Sequence, residues 1–578
     1  MRYLFSWLIL ILVTVVPAVR VAEAAKTYYV APTGGSDNNN GTDTSTPFAT
    51  ISHSISAAVA GDTIYLRGGS FLLSSNISIG SSKNGTAASP YNLLAYPGEA
   101  PVLDFRNEPY NANNAGLVGI TLSGSYWNLK GLTVQCAADN GIKISGSNNT
   151  IEQVVTRQNQ DSGLIISGSA TVHPSNNLIL NCDSYGNFDF GAKGENADGF
   201  AAKFRGIGTG NVFNGVRSFD NADDGFDFWQ AEHGVTVINS WSFHNGKAAV
   251  FNNPTGYQGD GNGVKLGHDS SNELLANMLV WGNVVNGVDI NGNSSQLEAN
   301  SNPAAITHGV EAYNVTSVLN GGKNFQFDEN PSTATPATVH ILQNNISYLG
   351  GGTSINPGNI ADHNSFAGPA GSPAGLDATA ADFVSTTEPI DGVTVKDGSF
   401  HAAGTGGDRS GTTTPVYPTG PDDTVLGPRQ ADGSLPIIDF MRLVAGSHLL
   451  GAGVDVGLPF TGAEPDLGYS STMVVAPPLV GDFNGDHTVD ASDYTMWRDS
   501  LGGTGADMAA DADHNGVIDQ KDFLVWQTRF AEVYGSAAGV GSGAGAAGSA
   551  AVPEPATLLL VLAAMPFVFR RLQCSSSR

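Results

Sequence analysis

Five residues carry the chemistry that this sequence offers. Asp198 sits in Asn-Ala-Asp198-Gly-Phe, Asp223, Asp224 and Asp227 in Asn-Ala-Asp223-Asp224-Gly-Phe-Asp227, and Lys265 in Asn262-Gly-Val-Lys265-Leu. The phrases share one form, so stacking them puts Asp198 directly below Asp224, with Asp223 beside it. Four carboxylates gathered in this way cannot all stay ionised unless positive charge lies among them. Ca²⁺, which takes six to eight hard oxygens, is the candidate; the plainer alternative is that these aspartates end turns and face solvent. Lys265 falls one coil above Asp227 on the same face. It is either a salt-bridge partner of Asp227 or Asp289, or a base whose pKa must fall below its ordinary value of about 10.4. Lys203, Arg205 and Arg217 are nearby cations able to grip a carboxylate, against the alternative of ordinary surface charge.

A second constellation lies near the C-terminus. One loop offers Asp482, Asn484, Asp486, Thr488, Asp490 and Asp493. Another, 29 residues on, offers Asp511, Asp513, Asn515, Asp519 and Asp522, with Gly516 at the turn. Oxygen side chains in this rhythm are what a Ca²⁺ loop requires, with Asp rather than Glu in the twelfth position. Tyr494–Trp497 and Phe523–Trp526 follow, each an apolar-aromatic stretch predicting a short helix.

The elements that must hold the first constellation are repeats. The phrase glycines fall at 141, 163, 199, 225, 263 and 287, in steps of 22, 36, 26, 38 and 24 residues. A base period of 22–26 with insertions of about a dozen residues marks a solenoid. Apolar alternation after each glycine indicates strands. Three short strands per coil and turns rich in Asn and Gly predict an all-β, right-handed parallel β-helix with coils about 4.8 Å apart. One step after the glycine the column Ile142, Leu164, Phe200, Phe226, Val264, Val288 is apolar and faces inward; the next, Lys143, Ile165, Ala201, Asp227, Lys265, Asp289, faces outward. The glycines are expected at bends and the asparagines in ladders. Trp229 offers either a sugar-stacking ring or part of an inward aromatic ladder, and His244 and His268 read as turn or surface residues. Cys136 and Cys182 both follow the first strand of a coil, two coils apart at about 10 Å, too far for a disulfide, so free thiols are expected.

Composition fits this frame. The chain has 578 residues, 73 of them Gly, and a net charge of −27. Charge clustered as acid excludes a nucleic-acid partner, and the 41% hydrophobic content excludes a wholly disordered chain. Residues 1–24 read as a secretory signal: Arg2, the apolar run Leu4 to Val16, then Ala22-Glu-Ala24. The expected organisation continues with the β-helix over 25–475, the small α-helical calcium-binding module over 479–533 and a Gly/Ala/Ser linker over 535–551. The tail, 552–578, has Val552-Pro-Glu-Pro555, an apolar run Ala556–Phe569 and Arg570-Arg571.

These motifs carry three resemblances. The tail resembles the PEP-CTERM sorting signal, which implies an exported protein held at the membrane, transiently or permanently, and so a secreted or cell-surface location. The paired loops resemble a dockerin, which implies two Ca²⁺ ions and a cohesin protein partner; the alternative is a Ca²⁺-dependent spacer. The run Glu195-Asn-Ala-Asp198-Gly-Phe, Asp220-Asn-Ala-Asp-Asp224-Gly-Phe-Asp227-Phe-Trp229 and Gly261-Asn-Gly-Val-Lys265-Leu-Gly-His268 looks like the signature of polysaccharide lyase family nine, the β-helical pectate lyases. The phrases Tyr28–Asp37, Pro47–Ile51 and Gly61–Arg67, and the closing Ala431–Pro436 and Ala452–Asp455, are similar to that group's cap and end, so the likeness spans about 27–472. It implies that Asp198, Asp223, Asp224 and Asp227 hold Ca²⁺ and that Lys265 is the base, in a monomer that cleaves pectate by β-elimination. Elimination from another uronate polymer, such as alginate or a glycosaminoglycan, and a non-catalytic glycan-binding surface β-helix stay open beside it.

Overall fold

The computed structural model describes residues 24–108, 117–189, 191–204, 206–231, 233–251, 255–267, 273–291, 309–328, 339–366, 376–389, 429–473, 481, 483, 489–504, 510–512 and 517–529. The expected signal (but for residue 24), linker and sorting tail lie outside these residues, as do Arg205, His268, Asp482, Asn484, Asp486, Thr488, Asp513 and Asn515.

The chain winds through three parallel sheets, one strand of each per turn. The first runs from Thr27–Val30 to Ile360–Asp362 in 12 strands, the second from Gly69–Leu72 to Ile346–Tyr348 in 10, and the third from Ile77–Ile79 to Thr353–Ile355 in 10. This is a right-handed parallel β-helix. Inward side chains form one continuous core from Val30 to Ala361, and at the N-terminal end the helix Ile51–Ala57 lays Ile51 and Ile55 into it. Thr50 caps that helix, accepting from the His53 N–H at 3.2 Å.

The third sheet has the register expected from the phrases. Ile142, Leu164, Phe200, Phe226, Val264 and Val288 pair in succession, and so do Lys143, Ile165, Ala201, Asp227, Lys265 and Asp289. An asparagine ladder fixes the corner before it. Asn159, Asn187, Asn221, Asn245, Asn283 and Asn320 are buried, and each Nδ2 donates to the next Oδ1 at 2.8–3.1 Å. Each such amide left unpaired would cost about 1–3 kcal/mol, so the ladder ties coil to coil. The phrase glycines stand at this corner, at bends as expected. They do not adopt left-handed backbone; they make room for this corner. A Cβ at Gly199 would lie 1.9 Å from Ser218 Oγ, and one at Gly225 2.0 Å from Ser242 Oγ. The left-handed bend between the first and second sheets is held mostly by asparagine, at Asn239, Asn277, Asn314 and Asn344.

The outer face of the second sheet is covered by the chain's own later segment. Tyr185, Phe219, Phe243 and Trp281 stack on successive coils with centroids 4.8, 4.8 and 4.1 Å apart. Residues Leu435, Phe440, Leu449 and Tyr469 bury this row. The bend asparagines fasten the segment: Asn277 donates to Met473 O, Asn314 to Asp466 O and Asn344 to Val454 O at 2.8–3.0 Å. Arg429 joins Arg217 on the buried carboxylate of Asp183. Arg217 is therefore a buried structural cation, not a surface charge or a substrate grip. Residues 429–473 are thus a strap along the β-helix rather than further coils.

Cys136 and Cys182 are buried free thiols, as expected. They occupy different corners, however: Cys182 follows the first-sheet strand Leu178–Leu180, Cys136 the second-sheet strand Thr133–Gln135.

Around the second constellation the described residues form two helices, Ala491–Ser500 and Gln520–Arg529. Its small core joins Phe483, Val489, Trp497, Ala510, Ala512, Ile518 and Trp526. The two halves lock reciprocally. Trp497 donates its indole N–H to Asp519 O and Trp526 to Asp490 O, both at 2.8 Å.

One acid-labile point in the β-helix is His340. His340 is fully buried next to Phe327, and its Nδ1 accepts the Val310 N–H at 3.0 Å, so the ring is neutral. Burial pushes its pKa down to about 4. The unfolded ring, with the ordinary value of about 6.5, then binds a proton more readily. The neutral ring's contribution is fully present above pH ~6.5 and is lost as pH falls through about 4; over that window it amounts to roughly 3 kcal/mol. Urea midpoints should therefore drop between pH 7 and pH 4, and His340→Gln should flatten that part of the profile. A variant profile parallel to the parent's would show that His340 is not the group responsible.

Candidate functional site

The site forms where consecutive coils present acids at the start of the third sheet. One ligand oxygen from each of Asp198, Asp223, Asp224 and Asp227 can be chosen so that all four lie within 4.8 Å of one another, and all four residues are buried. One oxygen of each is held. The Asp224 N–H donates to Asp198 Oδ1 at 3.4 Å, the Asp260 N–H to Asp223 Oδ1 at 2.6 Å, the Asn262 N–H to Asp224 Oδ1 at 2.7 Å, and the Trp229 N–H to Asp227 Oδ1 at 2.9 Å. Ser162 Oγ donates to the second oxygen of Asp198 at 2.8 Å.

Two ammonium groups meet the other oxygens. Lys203 Nζ lies 2.7 Å from Asp198 Oδ2 and 2.6 Å from Asp227 Oδ2. Lys265 Nζ lies 3.1 Å from Asp224 Oδ2, 3.8 Å from Asp227 Oδ2 and 2.9 Å from Asp260 Oδ2. The expectation that Lys203 reaches out to substrate is thus corrected. Two residues beyond the outward column, it turns back over the carboxylates and is itself buried. Lys265 and the four aspartates stand where stacking of the phrases puts them.

The electrostatics follow from charge packed out of water. Burial, reinforced by Asp224 and Asp198, raises Asp223 well above the usual carboxylate range. Burial raises Asp224 to about 7 despite Lys265, and it raises Asp198 despite Lys203. At Asp227 burial is outweighed by Lys203 and Lys265, and its pKa is lowered. Burial works to lower both lysines, but the carboxylates overcome it and hold both far above the ordinary value. With these charges alone, Lys265 is a firmly protonated ammonium.

The donor set suits a hard divalent cation. Four carboxylates converge, and the buried Asp224 Oδ2 faces Lys265 without hydrogen-bonding geometry. Such oxygens are Ca²⁺ ligands by type. In the second constellation, the ninth- and twelfth-position acids are described and act as helix caps. Asp490 accepts the Ser492 N–H at 2.7 Å, and Asp493 accepts the N–H groups of Asp490 and Phe483 at 2.8 and 2.7 Å. Asp519 and Asp522 repeat this 29 residues later: Asp519 accepts from Lys521 N–H and Asp522 from Asp519 N–H. Asp511 is buried in the same region.

Sequence reasoning missed Asp260, Ser162 and Asn262 as members of the site. The signal for Asp260 was present in Gly259-Asp-Gly-Asn262, an acid just ahead of the Lys265 phrase. It also missed what the longer steps do. Phe188 and Ala197 from one inserted segment pack with Ala222 and with Phe251 and Tyr257 from the other, forming a small apolar wall beside the carboxylates.

A β-helix of this length with a lysine set among carboxylates on one sheet defines the class, and comparison with known proteins gives the family. Residues 28–335 match the family described as Pel9A-like, right handed beta helix region, and 480–530 match the Dockerin type I domain. The chain belongs to the Pel9A-like right-handed β-helix family of polysaccharide lyases. It is 35% identical over 449 residues to "Pectate lyase L" of Paenibacillus polymyxa (strain SC2), covering 75% of this chain and 85% of that one. The solved structure titled "Crystal structure of pectate lyase Pel9A" superposes with a TM-score of 0.60 at 30% identity, covering 77% of this chain and 96% of that one. A structure titled "Rhamnogalacturonan lyase" gives 0.53 at 26% identity, covering 74% and 98%.

Lys203 tests the electrostatic account. Lys203→Met removes the charge that neutralises Asp198 and Asp227 while keeping most of the stem. Breaking a buried pair in this way should cost about 3 kcal/mol of unfolding free energy in protein stripped of divalent cations. Equal urea midpoints for parent and variant under those conditions would sink this account.

Proposed function

We propose that the chain is a secreted calcium-dependent pectate lyase that cleaves polygalacturonate by β-elimination to 4,5-unsaturated oligogalacturonides. The observation that carries this is Lys265 set against Asp224 and Asp227 in a four-carboxylate cluster, in a chain 35% identical to a protein named pectate lyase. Asp198, Asp223, Asp224 and Asp227 are the residues that would hold Ca²⁺. Bound there, the ion would offset the cluster's negative charge and withdraw electrons from a substrate carboxylate, making the adjacent C5 proton more acidic.

The chain's own residues do the rest. Lys265 is held charged by its carboxylate neighbours, so it becomes a base only when those charges are offset. Its neutral amine then takes the C5 proton. The C5–H electron pair becomes the C4=C5 double bond, the C4–O bond breaks, and the glycosidic oxygen leaves with the C4–O bonding pair and takes a proton from solvent. No water is consumed, unlike hydrolysis, which needs two carboxyl groups set across the bond. Arg205 is proposed to grip a further substrate carboxylate.

The flanking regions complete the proposal: export through 1–24, the catalytic β-helix over 25–475, a Ca²⁺-binding module over 479–533 that docks to a cohesin-like partner, a linker over 535–551, and retention at the cell surface through 552–578. A second reading, elimination from another uronate polymer, is favoured by the likeness to a protein titled rhamnogalacturonan lyase.

Ultraviolet absorbance of unsaturated uronides from polygalacturonate should rise with Ca²⁺ and stop with chelator. Absorbance from another uronate polymer but not from polygalacturonate would transfer the proposal to the second reading. Lys265→Ala should abolish turnover while Ca²⁺ binding, followed by calorimetry, persists; an active variant would remove Lys265 as the base. In the C-terminal module, chelation should shift the Trp497 and Trp526 emission to the red, and Asp493→Ala and Asp522→Ala should each weaken the Ca²⁺ response. Emission indifferent to Ca²⁺ would overturn the module's metal dependence.

A further inference from the structure

Phe204 is an exposed aromatic ring in a left-handed turn beside the carboxylate cluster. It follows Lys203 directly, at the corner where the third sheet ends, and its backbone takes φ +73°. The coil above makes the same left-handed turn with Gln230, φ +59°, so the turn itself does not call for an aromatic residue. A bulky side chain in left-handed backbone is disfavoured. Core burial does not offset that, because Phe204 is 40% exposed. Strain without a packing return concentrates at functional sites.

Its neighbours tie it to the carboxylate cluster. The Phe204 N–H donates to Trp229 O at 3.0 Å, and the Trp229 N–H donates to Asp227 Oδ1 at 2.9 Å. The half-buried Trp229 ring meets Phe204 edge to face, with centroids 6.0 Å apart and planes at 85°. Trp229 lies two residues past Asp227 on the outward face, one coil below Lys265, which puts its Cα about 8 Å from that of Lys265 by strand geometry. Gly267 keeps the coil above close: a Cβ there would lie 2.6 Å from the Trp229 Cα. The pair is thus an apolar shelf at the rim of the charged cluster.

We propose that Phe204, braced by Trp229, is a stacking platform for a uronate sugar ring adjacent to the one undergoing elimination. A pyranose presents an apolar face of C–H groups and an edge of hydroxyls and carboxylate. An exposed aromatic takes the first, while Lys265 and the aspartates handle the second. Phe204 is then a positioning residue that sets affinity and register along the polymer rather than proton transfer. The assignment rests on the proposed uronate-polymer function.

The test separates the two. Binding of polygalacturonate is measured by affinity electrophoresis in the inactive Lys265→Ala protein, in Ca²⁺, with and without Phe204→Ala. The added substitution should weaken binding about tenfold, the scale of one lost aromatic contact, and Phe204→Tyr should restore it. In the active protein, Phe204→Ala should raise KM by a similar factor with kcat nearly unchanged, at an unaltered melting temperature. Binding unchanged by Phe204→Ala overturns the platform and leaves the lyase reading standing. Failure of the Lys265→Ala protein to bind polygalacturonate at all overturns both.

Discussion

Mutual repulsion of four buried carboxylates is the constraint around which the rest of this molecule is arranged. A parallel β-helix sets neighbouring coils one strand spacing apart, so side chains at equal phase are forced together. At most phases that closeness serves packing, as in the stacked Tyr185, Phe219, Phe243 and Trp281. At the start of the third sheet it instead stacks Asp198 under Asp224, with Asp223 and Asp227 beside them. Several neighbours counter that charge: N–H donors from Asp224, Asp260, Asn262 and Trp229, and the ammonium groups of Lys203 and Lys265. The same field that stabilises the ammonium of Lys265 disables it as a base. A cation that offsets the field would therefore act on the lysine as well as on the substrate.

The insertions matter because the repeat alone cannot enclose such a site. A bare coil exposes the outward face of its sheet evenly. The longer steps, after Gly163 and after Gly225, fall in the coils that bear Asp198 and Lys265. They contribute Phe188, Phe251 and Tyr257 as an apolar wall, and Asp260, whose backbone serves Asp223 while its carboxylate holds Lys265. Irregularity in the period is thus a pointer to where a solenoid departs from pure stacking.

What could be read from the sequence was what period and phase determine. The third-sheet register, Asp198 against Asp224 and Lys265 against Asp227 follow from aligning phrases on their glycines, because one residue of slip would turn every inward Phe and Val outward. Lys203 was misplaced for the complementary reason. Its phase was readable, but not the direction of a four-carbon side chain, which depended on where negative charge would accumulate. The strap over 429–473 lacks any period and is held by outward Asn277, Asn314 and Asn344, whose roles as hooks exist only once the coils are stacked. The glycines were legible as markers but not in their reason, since the crowding by Ser218 and Ser242 comes from the next coil.

The acidity of the chain takes a different meaning in its two parts. In the C-terminal module, Asp490 and Asp519 cap helices, and Asp493 and Asp522 return to the loop backbone, so each acid has work before any ion is considered. The Trp497–Asp519 and Trp526–Asp490 bonds then make each half depend on the other half's loop, and anything that orders one loop also orders the partner helix. In the β-helix the acids have the opposite character. Asp223 is raised by burial, Asp224 and Asp198, and Asp224 by burial, Asp227 and Asp198, so the folded chain bears an unfavourable concentration of charge there that its own lysines only partly relieve. A fold selected for stability alone would have placed asparagine at the phase of Asp198 and Asp224, as it did at Asn262 and Asn286 on the coils above. That contrast between neighbouring coils of one ladder separates a binding site from a turn.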